Sequence, residues 1–259
     1  MEQWWIVAGL MVPFAGTAAG AAMVFLMKNR IGDGVEKFLT GLAAGVMLAA
    51  SVWSLLLPSL AMSEDQPAAF LPAVSGFLAG VLFLMLTDRL MPHWLLKYSG
   101  RKHTLCTKKN GMMIFAVTLH NIPEGMAVGI ALAAAFCSHS GMTAASAMAL
   151  SAGIAIQNFP EGAIISLPLR SEGRSKGTAF FAGVLSGVVE PVFGFVTILL
   201  TGLIVPLMPY LLAFAAGAMI YVVAEELIPE AHRGSHSAGA TIGLSIGFVL
   251  MMALDVALG

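Results

Sequence analysis

The chain has 259 residues, of which 58% are hydrophobic and 10% charged, and its mean hydropathy is +0.89. A soluble domain carries roughly a quarter charged residues, so this composition excludes one and points to a chain embedded in a lipid bilayer. The net charge of −1 gives no case for a nucleic-acid partner, and two cysteines, Cys106 and Cys137, are too few for a disulfide framework.

A helix needs about 20 apolar residues to cross the bilayer. The apolar runs predict eight transmembrane helices, at 4–27, 38–60, 70–90, 112–137, 143–169, 177–203, 209–228 and 238–258. The start, Met1-Glu2-Gln3-Trp4-Trp5, has no basic region, so the first run reads as a true span and not a cleaved signal. The Trp pair suits a membrane interface. No loop is long enough for a second domain, so residues 1–259 read as one all-α polytopic transmembrane domain.

The basic residues orient it. Lys28, Arg30 and Lys37 fall between spans 1 and 2. Arg89, Lys97, Arg101, Lys102, Lys108 and Lys109 fall between spans 3 and 4 or at their ends. Arg170, Arg174 and Lys176 precede span 6, and Arg233 lies between spans 7 and 8. These are all 13 Lys and Arg residues, and all lie on one side. By the positive-inside rule that side is cytoplasmic and both termini face outward, as expected in a bacterial inner membrane. Glycines spaced at four, such as Gly16/Gly20 and Gly41/Gly45, read as close helix contacts.

Two near-copies stand out within the apolar runs. Leu119-His120-Asn121-Ile122-Pro123-Glu124-Gly125 lies in span 4, and Ile156-Gln157-Asn158-Phe159-Pro160-Glu161-Gly162 in span 5. Each puts three metal-capable side chains at i, i+1 and i+4, within a wedge of about 100° on one helix face. The proline before each Glu removes a donor and frees a carbonyl, that of Leu119 or Ile156, which at membrane depth is tolerated where it lines a cavity or meets an ion.

Glu124, Glu161, Glu190, Glu226 and Asp255 fall inside predicted spans, with Glu225 near an edge, and no Lys or Arg accompanies them. One charge at the bilayer centre costs roughly 2.5–3.5 kcal/mol even on a lenient scale. Protons or bound cations must neutralise such a set. An imidazole with carboxylates suits Zn²⁺ and its neighbours. A lone membrane histidine is often only hydrogen-bonded, but two copies with the same offsets and the same Pro-Glu-Gly ending favour a metal role. Glu190 stands in the similar run Val189-Glu190-Pro191 of span 6; its bland reading is a protonated core glutamate.

At these residues the chain resembles the ZIP (Zrt/Irt-like protein) family of divalent-metal transporters, and its HNxPEG and QNxPEG motifs resemble the GufA-type bacterial branch. The resemblance covers nearly the whole chain, including the Glu-Glu-Leu-Ile-Pro-Glu end of span 7. It implies a 3+2+3 arrangement, with spans 1–3 and 6–8 related by a pseudo-two-fold inverted repeat and spans 4 and 5 between them. It also implies a binuclear site halfway across. One metal would take His120, Glu124, Gln157 and Glu161, with Met47 of span 2 close by. The other would take Asn121, Asn158 and Glu190, with Glu124 and Glu161 bridging. By the same resemblance Asp88, His93, Glu225, Glu226 and Asp255 are pathway ligands at the entrance or exit; their bland reading is helix-end polar contacts. The chain departs from the family where some relatives carry Asp in place of Asn158, and where many carry His in place of Glu225. The His-rich loop after span 3 is reduced to His93, His103 and Cys106.

The expected function is uptake of Zn²⁺, with Cd²⁺, Fe²⁺ and Mn²⁺ as alternatives, from outside to the cytoplasm. The metal is the cargo, no organic cofactor is expected, and the partners are divalent ions and the lipid bilayer, with a homodimer left open. Two rivals are weighed. A membrane-embedded zinc hydrolase needs a metal with an open water position and a base; the chain has no HExxH, and a symmetric duplicated motif suits a path better than one reacting atom. A cation-coupled carrier of an organic solute needs a substrate anchor such as Arg, and no span holds one centrally.

Overall fold

A computed structural model describes residues 3–26, 32–64, 68–98, 108–135, 142–171, 173–200, 207–234 and 238–258. Within these ranges the side chains of 3, 91–98, 108–116, 119, 120, 171 and 258 lie outside the description. The described residues form helices and no strand. In order these are α1 (Gln3–Leu26), α2 (Asp33–Ala61), α3 (Phe70–Tyr98), α4 (Lys108–Ala134), α5 (Ala144–Ser171), α6 (Lys176–Leu199), α7 (Met208–Ala231) and α8 (Ala238–Leu258).

Six of them, α1, α2, α3, α6, α7 and α8, are long and apolar enough to cross a membrane. The other two, α4 and α5, have 27 and 28 residues and carry the polar motif copies. A helix satisfies its own backbone polar groups, which is why a chain this apolar can rest in lipid. The side chains are sorted inside-out relative to a soluble protein. Leu78, Leu82 and Leu86 of α3, Phe195 and Leu199 of α6, and Ile242 and Ile246 of α8 are exposed, whereas Asn121, Glu124, Gln157, Asn158 and Glu190 are buried. This is the pattern of a polytopic membrane protein.

Two contacts join helix ends across the chain. The Lys176 ammonium donates to the Phe25 carbonyl at 3.0 Å, so the end of α1 and the start of α6 share one side. The Ser59 hydroxyl donates to the Pro209 carbonyl at 2.6 Å, which puts the end of α2 beside the start of α7. Five pairings dominate the packing: α2 on α8, α1 on α5, α3 on α7, α2 on α7 and α4 on α6. Glycine permits the closest of them. A Cβ at Gly45 would run into the Leu244 carbonyl of α8. The α2 helix is 67% buried over its apolar window against 28% for α3 and for α8, so α2 lies inside and those two lie outside.

Two helices loosen at matching places. In α2, residues Ser51–Leu56 wind as a π-helix, and the Leu57 N–H reaches back five residues to the Val52 carbonyl. In α7 the same happens over Val223–Leu227, with Ile228 bonded to Val223. Each segment precedes a proline, Pro58 or Pro229, that can donate no backbone hydrogen bond. The α6 helix is interrupted at Val188, between Gly187 and Pro191. This break puts Glu190 in the first turn of the second half, where the helix dipole favours an anion.

Candidate metal site

The two motif copies sit on α4 and α5, each with its proline inside the helix. Asn121, Glu124, Gln157 and Asn158 are fully buried, and Glu161 and Glu190 nearly so. The His120 backbone belongs to α4, but its side chain lies outside the described residues.

Hydrogen bonds join the copies to each other and to α6. The Gln157 amide Nε2 donates to Glu124 Oε1 at 2.8 Å, linking α5 to α4. The Asn121 amide Nδ2 donates to Glu190 Oε1 and to the Ser186 carbonyl, both at 3.1 Å, linking α4 to α6. The Thr17 hydroxyl of α1 also donates to Glu190 Oε1, at 2.9 Å. Asn158 lies beside both the Glu124 and Glu190 carboxylates, and neither of its amide atoms has a hydrogen-bond partner among the described residues. The Glu124, Glu161 and Glu190 carboxylates are close enough to repel one another.

These bonds leave a particular remainder. Asn121 Oδ1, Glu124 Oε2, Gln157 Oε1, Glu190 Oε2 and both amide atoms of Asn158 are buried without a hydrogen-bond partner among the described residues. An orphaned buried polar atom costs about 1–3 kcal/mol, and more if charged. In each of Asn121 and Gln157 the amide nitrogen is engaged and the oxygen is not. In each of Glu124 and Glu190 one oxygen is engaged and the other is not. The hydrogen bonds therefore orient Asn121, Glu124, Gln157 and Glu190 and leave oxygen lone pairs without a donor among the described residues, an arrangement suited to a cation. Among the described residues no three His, Cys, Asp or Glu side chains form a ready metal cage by themselves. The oxygen-rich set here draws on amide side chains as well as carboxylates.

No Lys or Arg among the described residues is buried in this region to form a simple internal ion pair. Lys37 is the one buried basic residue among those described, and it sits in the first turns of α2, bonded to Asp33 at 3.0 Å. Met47 is buried in α2, in one apolar cluster with Ala127 and Val128 of α4 and Ile154 of α5.

The residues expected to serve as entrance or exit ligands fall in two other places. Asp88 of α3 accepts a hydrogen bond from the Tyr221 hydroxyl of α7 at 2.9 Å. Glu225 and Glu226 follow one turn on, in the π-helical segment; Glu225 is exposed and Glu226 half-buried. The His93 side chain lies outside the described residues. Asp255 of α8 is buried at the opposite end, where its Oδ1 accepts from the Ser54 hydroxyl at 2.7 Å and its Oδ2 has no partner among the described residues. The two residues line a cavity of about 170 Å³, together with Trp53, Met142 and Ser146.

Sequence reasoning missed Thr17, Ser54 and Tyr221. Their signal was weak, because a hydroxyl in an apolar run ordinarily bonds to its own helix.

A family model described as ZIP Zinc transporter matches residues 110–255, which include both motif copies and Glu190. The chain is 39% identical to the zinc transporter GufA of Myxococcus xanthus, over 97% of this chain and 99% of that one. It is 38% identical to the zinc transporter ZIPB of Bordetella bronchiseptica, over 95% and 79%. It is 36% identical to the zinc transporter ZIP11 of Xenopus tropicalis, over 97% and 96%.

Proposed function

Because this chain belongs to the ZIP zinc transporter family, a family of transporters and not of enzymes, we propose that it carries Zn²⁺ from outside into the cytoplasm through a central two-metal site on α4, α5 and α6. One observation carries the reading: buried carboxylate and amide oxygens on these helices are left without hydrogen-bond partners. His120, Glu124, Gln157 and Glu161 hold one metal, with Met47 beside it. Asn121, Asn158 and Glu190 hold the other, and Glu124 and Glu161 bridge. Gln157 can keep its bond to Glu124 through Nε2 while it offers Oε1 to the metal, and Asn121 can do the same with Glu190.

All eight helices span the membrane in this reading, and the whole chain acts as one unit in a bacterial inner membrane. The inverted repeat is supported by mirrored packing. Exchange of α1 with α6, α2 with α7, α3 with α8 and α4 with α5 turns the α2–α8 pairing into α3–α7 and the α1–α5 pairing into α4–α6, and leaves the α2–α7 pairing in place. The same exchange maps the π-helical segment of α2 onto that of α7. The one-sided basic residues support outward termini and a cytoplasmic exit. The Asp255 region would then be the entrance, and the Asp88, Glu225 and Glu226 region the exit. Cd²⁺, a softer ion of like charge, is expected to compete at the half-site that offers nitrogen and sulfur.

Uptake of radioactive zinc into proteoliposomes tests this. Wild-type chain should fill the vesicles, and Glu161→Ala, which removes a bridging carboxylate, should not. Equal flux by the two proteins would contradict the site.

A further inference from the structure

Most described hydroxyls in these helices return to their own backbone. Thr40 donates to Glu36, Thr87 to Phe83 and Thr197 to Phe193, each four residues back. That is the ordinary habit of a helical threonine. Thr17 does otherwise. It is fully buried in α1, and its hydroxyl crosses to Glu190 Oε1 on α6 at 2.9 Å.

Its place is fixed by the motif glycines. A Cβ at Gly162, the last residue of the second copy, would run into the Thr17 carbonyl; one at Gly125, the last of the first copy, would run into the Glu190 carbonyl. Each motif thus seats one neighbouring helix, α1 at Thr17 and α6 at Glu190. Thr17 holds on α1 the place that Glu190 holds on α6, with a hydroxyl in place of a carboxylate. Gly187 closes the seat, since a Cβ there would stand 2.9 Å from Thr17 Cβ and 3.1 Å from Glu190 Oε1.

We propose that Thr17 fixes Glu190 as a one-oxygen ligand and thereby sets which ion size the second half-site accepts. The inference rests on the two-metal reading above. Glu190 Oε1 already accepts from both Thr17 and Asn121, so only Oε2 is left over for a metal. A carboxylate held by one oxygen in this way cannot swing to grip a cation with two. Zn²⁺ is content with few ligands, whereas larger cations gain from bidentate carboxylates and higher coordination numbers. Thr17 therefore favours the small ion. Without its hydroxyl, Glu190 can turn and offer both oxygens.

The test uses the full chain in proteoliposomes, with radioactive zinc as tracer and Mn²⁺ and Cd²⁺ as competitors. Thr17→Val keeps the shape and removes the hydroxyl. It should raise the KM for Zn²⁺ about tenfold, the scale of one hydrogen bond to a charged acceptor, and make both larger ions stronger competitors. Thr17→Ser should restore wild-type KM and preference. Thr17→Ala gives the same comparison if the valine variant fails to reach the membrane. A raised Zn²⁺ KM with Mn²⁺ and Cd²⁺ competing no better than against wild type, or wild-type KM and preference without the hydroxyl, overturns the role of Thr17. Glu190→Ala separates the two layers of the argument: if it transports like wild type, the second half-site itself is wrong, whereas if it is impaired while Thr17→Val is not, only the Thr17 role falls.

Discussion

Gln157 Nε2 stands 2.8 Å from Glu124 Oε1, and this hydrogen bond joins the two halves of the duplicated motif. Both side chains are fully buried. Gln157→Leu removes the donor and the unpartnered oxygen together. Without metal the buried Glu124 carboxyl is neutralised by a proton, so the lost bond is worth about 0.5–1.5 kcal/mol and the metal-free protein should melt a few degrees lower in detergent. Zinc uptake should fall by at least about tenfold, because the first half-site loses a ligand and the support of another. Unchanged melting and unchanged uptake would show that the bond matters to neither.

The two proposed half-sites differ in chemistry, and the difference can be measured. The first offers the His120 imidazole and the Met47 thioether, and the second offers oxygen alone. His120→Asp keeps a ligand but makes it hard, so uptake of Zn²⁺ and Cd²⁺ should fall relative to Mn²⁺, on the order of tenfold. Met47→Ala should weaken Cd²⁺ more than Zn²⁺. Competition uptake with the three ions reads both effects. If His120→Asp slows all three by one factor, nitrogen is not the selector.

Orientation has its own test. Glu64 is exposed at the end of α2, and Arg233 is exposed at the end of α7. With Cys106 and Cys137 replaced by Ser, a cysteine at Glu64 should react with an impermeant thiol reagent added to intact cells. One at Arg233 should react only after the membrane is opened. The reverse pattern would invert the proposed direction of the termini.

Parts of this architecture were legible in the sequence and parts were not, for physical reasons. Glu124, Glu161 and Glu190 stood out because a carboxylate in an apolar run is expensive and invites an explanation. The repeated Pro-Glu-Gly ending made the family readable from two short stretches. Gly41 and Gly45 marked a face for close packing, but nothing local named α8 as the partner whose Ala240 and Leu244 carbonyls they meet. Pro58 and Pro229 were visible, but whether a proline kinks, breaks or adds a residue to a helix depends on its neighbours. Thr17 was invisible as a site residue, since its partner lies 173 positions away and only the fold brings it near.

The central claim is that two metals share bridging carboxylates between α4, α5 and α6. Anomalous scattering at the zinc edge from zinc-loaded crystals of the full chain tests it most directly. The expected result is two zinc peaks about 3.5–4 Å apart, the usual spacing of a bridged pair, flanked by Glu124 and Glu161 with Glu190 at one of them. A single peak there, or zinc confined to the Asp255 cavity or the Asp88 region, would contradict the account.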